Sequence, residues 1–300
     1  MIGMALVMVL VVGPLLLGLS GVRHARRGGA TSPEPAVPWN WKQTIRSALL
    51  YTLAFNLTFF IQELFLVLPK ALIPGVRATL FHNSHHWTGG DPLTSLFQGT
   101  GALAIFLSGL VCALLLRRRS PRSSTPRLFL IWMAYNGLLQ ALPQVVIGAV
   151  DPENDVGMAM HYLGLRSTAR TAAALAALAL IPAAALWLTP HLLSTAEQPA
   201  QLSSVRARTR FMFHIATLPG LIALALIIPF RVPRELTEVV GPPVVVTLVG
   251  MVWIQAGAWR FDRVSPQGEA GTGAIACLVT AVLVLLLVFQ LLLRPGIPFY

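Results

Sequence analysis

His82, His85 and His86 fall within five residues, in the run Phe81-His82-Asn83-Ser84-His85-His86-Trp87, and Asp91 follows closely. On a helical turn, positions i, i+3 and i+4 share one side, so three imidazoles in H-x-x-H-H spacing could hold one divalent metal such as zinc. Asp91 would complete the shell. Glu63, at the end of the preceding apolar run, would be a further ligand or the general base toward a metal-bound water. This donor set predicts metal-dependent hydrolysis, protease-like in type, at a polar site near one membrane face.

The comparison with known metal motifs limits that expectation. Membrane desaturases and hydroxylases use several H-x-x-H-H boxes, whereas this chain has one and its other histidines stand alone. Intramembrane metalloproteases carry H-E-x-x-H on a helix. The corresponding run here, Gln62-Glu63-Leu64-Phe65-Leu66, lacks both histidines.

A second constellation is polar but not metal-binding. Asn56 and Glu63 are two helical turns apart and share a face, with Gln62 beside it. Asn136, Gln140 and Gln144 recur every four residues along another apolar run. An ionisable group at such depth costs a few kcal/mol and normally faces a bundle interior or a wet cavity. Two alternatives therefore stand beside hydrolysis: a transporter with Glu63 in its pathway, and a scaffold in which the amides staple helices together.

These residues must be positioned by membrane helices. The chain is 55% hydrophobic and 11% charged, with mean hydropathy +0.71, well outside the soluble range. Eight apolar runs, about 2–20, 48–69, 98–116, 128–150, 171–189, 211–230, 239–258 and 273–293, are long enough to cross a bilayer. With no soluble-sized connection between them, residues 1–300 read as one integral membrane domain. The fold class is all-α and polytopic, with an interfacial or re-entrant loop between the second and third spans.

The net charge of +11 is topological rather than nucleic-acid-binding. Most of the 22 lysines and arginines lie in loops that share one side, including Arg117, Arg118, Arg119, Arg122 and Arg127. The positive-inside rule then puts both termini outside, in a bacterial inner membrane, with the lipid bilayer as the partner. The first span lacks positive residues before its apolar core and is followed by Arg23, Arg26 and Arg27, the pattern of an uncleaved anchor.

Local features complete the expectation. Ala104, Ser108 and Cys112 form a small-residue stripe for close packing, and the alanine-rich fifth span offers another such surface. Cys112 and Cys277 read as small packing residues. Pro182 and Pro219 are candidate kinks. Gly28–Trp41, with Pro33, Pro35 and Pro38, reads as an extended linker anchored by Trp39 and Trp41. Asp151–Gly157 reads as a turn that could lend Asp155, His161 or Tyr162 to an outer site. Arg231 and Arg234 read as turn residues in weak surface pairs with Glu235 or Glu238.

Overall fold

The computed structural model describes residues 2–27, 38–118, 123–268 and 275–300. Pro33 and Pro35, and Arg119 and Arg122 of the basic loop, lie outside the described residues. Among the described residues, eight helices are long and apolar enough to cross a membrane: Ile2–Arg27, Trp41–Leu72, Leu93–Arg118, Ser124–Val150, Ser167–Leu193, Val205–Arg231, Leu236–Arg260 and Ile275–Leu293. They are called the first to eighth spans. The second and fourth are the most enclosed, while the first and eighth present most of their surface outward. That outer surface is aliphatic, as at Leu15, Leu16, Leu283 and Leu287, which suits a lipid solvent.

The expected small-residue stripe is displaced by one position. On the third span, Gly101, Ile105, Gly109 and Ala113 are buried, and Ala104, Ser108 and Cys112 lie beside them, half-buried. A Cβ built on Gly137 of the fourth span would lie 2.6 Å from Gly109 Cα and from the Ile105 carbonyl oxygen. Two backbones in direct contact explain why glycine, rather than alanine or serine, marks the seam. Cys277 is exposed on the eighth span, so it does not serve as a packing residue. The alanine-rich fifth span does pack inward, through Ala174, Ala177, Ile181 and Ala185.

Prolines shape the helices in a repeated way. Three π-turns, at Met8–Val12, Phe213–Thr217 and Val288–Leu293, each lie two residues before a proline, at 14, 219 and 295. A proline ring crowds the carbonyl four residues back, and widening the helix relieves the clash. In the wider register the carbonyl five residues before the proline loses its donor. The Val9 carbonyl instead accepts from Trp253 Nε1 at 2.9 Å, and the His214 carbonyl from Thr44 Oγ1 at 3.0 Å. These two freed acceptors thus become joints between spans. Pro219 acts in this way, and Pro182 lies inside the fifth span.

The connection between the second and third spans is not a helical turn. Arg77–Leu80 (β1) and His85–Thr88 (β2) form an antiparallel hairpin, closed by the Phe81 N–H donating to the Ser84 carbonyl at 2.8 Å. Ile297–Pro298 (β3) adds to the other edge of β1, giving the order β2-β1-β3. The C-terminal residues therefore share a face of the bundle with the hairpin. Ala78 and Leu80 bury their side chains with Val67 and Leu293, which seats this small sheet on the ends of the second and eighth spans.

At the opposite end, Asn40 caps the second span, its Oδ1 accepting from the Gln43 N–H at 3.3 Å. Trp39 stacks between Trp41 and His214, at 4.0 Å from each ring.

Candidate functional site

The hairpin separates the three histidines. Side chains alternate across a strand, so neighbours His85 and His86 point to opposite faces. His86 is exposed. His82 is buried in the turn and neither ring nitrogen makes a hydrogen bond of ordinary geometry. Burial first, and then Arg234, Arg294 and Arg231, push its pKa down; the nearby Val232 backbone offsets only part of that shift. Asp91 is engaged locally. Its Oδ1 accepts from the Leu93 N–H at 2.8 Å and starts the short helix Leu93–Phe97. Among the described residues no group of three or more His, Cys, Asp or Glu side chains is placed to hold a metal ion. The expectation of a shared imidazole site rested on helical spacing, and the segment is a strand.

What the hairpin does assemble is a buried network around Glu63. His85 Nδ1 lies 2.9 Å from Glu63 Oε2, and His85 Nε2 lies 3.0 Å from Gln98 Oε1. Lys70 Nζ donates to the same Gln98 oxygen at 2.5 Å and sits 4.1 Å over the Trp87 ring. Trp87, two residues after His85 on the same strand face, stacks on it at 5.6 Å. Glu63 is 4% exposed and Lys70 is 0% exposed, so these bonds replace solvent rather than compete with it.

With Lys70 as an ammonium, the hydrogen-bond pattern limits where the hydrogens can sit. An ammonium has no acceptor capacity, so the Gln98 atom facing Lys70 must be the amide oxygen. That oxygen accepts from His85 Nε2, which must therefore carry a hydrogen. The other contact, Nδ1 to the carboxylate, needs one more proton between its two atoms. Either His85 is an imidazolium beside a carboxylate, or a neutral imidazole accepts from a protonated Glu63. In both forms the pair holds a single shared proton.

Two further charged groups surround the pair. Asp155 feels the fields of His85, Glu63 and Lys70; burial raises its pKa most, and Glu63 adds to that rise while the two cations oppose it. Arg231 is 4% exposed, donates twice to the Glu238 carbonyl (3.0 and 2.8 Å), and sits 4.4 Å over Phe59. It is no surface-pair residue, although Arg234 does reach Glu238 at 3.9 Å. Asn83 holds the turn to this region by donating to the Arg231 carbonyl at 2.6 Å, and Arg234 contacts Asn83 and Ser84. His161 and Tyr162 are exposed, whereas Asp155 joins the site.

The polar faces of the second and fourth spans meet as their spacing implies. Gln144 Nε2 donates to Gln62 Oε1 at 2.8 Å and to the Gln140 carbonyl at 3.0 Å. Gln140 Nε2 lies 3.3 Å from Asn136 Oδ1 and 3.5 Å from the Phe55 carbonyl. Asn136 and Asn56 donate back to carbonyls of their own helices, at Trp132 and Thr52. Gln140 Oε1 and Thr58 Oγ1 are buried with no protein partner. The result is a column of polar side chains running from Glu63 into the bundle.

Lys70, Gln98, Trp87 and Arg231 were not visible as site residues from helical periodicity. One available signal was period-two alternation around a turn, with Asn83-Ser84 between Arg77–Leu80 and His85–Thr88 and Gly89-Gly90 after it. That pattern pairs His85 with Trp87 and parts it from His86. Comparison with known proteins finds no matching family, no similar curated protein and no similar solved structure.

Proposed function

We propose that this multi-pass membrane protein is a proton-coupled transporter in which the Glu63–His85 pair is the proton-carrying centre and the hairpin is its cover. The observation that carries this reading is the 2.9 Å buried contact between an acid at the end of a central span and a histidine delivered by a separate, sheet-borne segment. A pair that shares one proton across two elements couples protonation to their relative position. Removing the proton leaves His85 with a lone pair facing an oxygen, either of Glu63 or of Gln98. Lys70 prevents Gln98 from turning its amide to compensate. The strain has one release, which is movement of the hairpin away from Glu63.

Two features favour transport over hydrolysis. Both nitrogens of His85 are engaged, so none is left to take a proton from a substrate-bound water. The polar column beneath Glu63 continues through Gln62, Gln144 and Gln140, and ionisable groups so placed mark proton or substrate paths in membrane proteins. A scaffold reading draws on Asn56 and Asn136, whose bonds to their own helices merely satisfy buried amides.

The test is charge movement after a pH jump, recorded from proteoliposomes on a solid-supported membrane. Wild-type protein should give a transient displacement current as the pair releases its proton. Glu63→Gln and His85→Gln should each reduce that current at least tenfold. Equal currents from wild type and both variants would overturn the proposal.

A further inference from the structure

We infer that the face opposite the hairpin holds a specific site for one phospholipid with an anionic phosphate headgroup. A cleft of about 840 Å³ lies between the first, sixth and seventh spans at the end that carries the basic loops. Its rim includes Arg26, Arg206 and Arg210, and its apolar wall includes Gly18, Ala256 and Phe213. Arg206 and Arg210 are one helical turn apart on the sixth span and face the cleft together, while Arg26 reaches it from the last turn of the first span. None of the three forms an ion pair among the described residues.

The shape of the cleft is built into the sequence. Trp259 donates to the Leu17 carbonyl at 3.1 Å and lies against Gly21, where a Cβ would come within 2.5 Å of its ring. Trp253 repeats the arrangement at Val9 and Gly13, so two indoles hold the first span at a set distance from the seventh. Between these clamps, Gly18 has no side chain and a Cβ there would only touch Ala256 at 3.9 Å. An opening walled by small apolar groups at membrane depth and rimmed by three guanidiniums is amphiphilic in the same sense as a phospholipid. Planar guanidiniums bind phosphate oxygens in pairs, and three of them favour a headgroup with no cation of its own over a zwitterionic one, whose ammonium they repel.

The experiment counts lipids retained by native mass spectrometry after incubating purified protein with mixed phosphatidylglycerol and phosphatidylcholine vesicles. Wild type should retain phosphatidylglycerol in preference to phosphatidylcholine. Arg206→Gln/Arg210→Gln should weaken that retention about fivefold for each arginine removed. Arg117→Gln/Arg118→Gln, which removes equal charge from the same end, should leave it unchanged. Gly18→Leu keeps every arginine and fills the wall, and should also reduce retention, which keeps the proposal testable if the double variant fails to fold. Equal loss in the two arginine pairs, equal retention of both lipids, or displacement of the lipid by millimolar inorganic phosphate would each overturn the inference.

Discussion

Two buried polar regions of this bundle solve the same problem in different ways. Nearer the end opposite the hairpin, Tyr51 and Thr247 share a hydrogen bond at 2.8 Å, Tyr135 donates to the Val246 and Thr247 carbonyls (2.9 and 2.8 Å), and Trp132 donates to Ser47 Oγ (3.1 Å), which donates to the Ile215 carbonyl (2.6 Å). Every group there is neutral, and the chains end on backbone oxygens. Beneath the hairpin, Glu63, His85, Lys70 and Gln98 bond to one another, and three of the four are ionisable. Both regions satisfy buried donors and acceptors. Only the second can change its bonding when a proton leaves. The contrast teaches that burial and hydrogen bonding alone do not distinguish a joint from a candidate site; the presence of ionisable groups among the partners does.

The comparison can be broken first by shape. Gly137→Val should abolish recovery of folded protein, because the added carbon meets the backbone at Gly109 and Ile105, which cannot yield as a side-chain tip would. Size-exclusion profiles of the purified variant check this. Next comes Lys70→Met, which frees the Gln98 amide to turn and removes the cation from Trp87. It should abolish most of the pH dependence of hairpin mobility and cost about 1–2 kcal/mol of stability in detergent unfolding. Tyr135→Phe should cost about 1 kcal/mol in the same assay, with no dependence on pH, because only a neutral bond is lost.

The smaller effects concern groups flanking the hairpin. His82 has a folded-state pKa below the ordinary histidine value, so the unfolded chain binds its proton more readily. Stability from this residue is therefore lost as pH falls through about 6.5, the unfolded value. His82→Asn should remove that part of the acid sensitivity. Asp155 is shifted the other way: its raised pKa means that ionisation costs folded-state stability as pH rises from about 3.9. Asp155→Asn should therefore stabilise the protein slightly at neutral pH and lose the advantage under acid, as read from melting temperatures across pH.

The membrane fold was legible because hydropathy integrates over many residues. The eight spans, the inward alanines of the fifth, and the meeting of Gln62 with Gln144 all follow from periodicity along continuous helices. The hairpin is not legible in this way, because a four-residue strand carries little signal and H-x-x-H-H has a ready helical interpretation. That single change of period sends His86 to solvent and His85 to Glu63. Lys70 and Gln98 were hidden for a different reason. Each lies at a span boundary, and their meeting depends on how the connection folds back, which no local pattern records. Arg231 escapes the sequence pattern because a cation near a turn is normally exposed, whereas here Phe59 and the Glu238 carbonyl cover it.

The central claim is that one proton, shared by Glu63 and His85, holds the hairpin down. Hydrogen exchange of the Arg77–Thr88 amides, followed from neutral to alkaline pH in wild type and Glu63→Gln, tests it most directly. Wild-type protection should fall as the shared proton is lost, whereas the Glu63→Gln hairpin, where the introduced amide can donate to Nδ1 without titrating, should stay protected throughout. Equal protection in the two proteins at every pH would contradict the account.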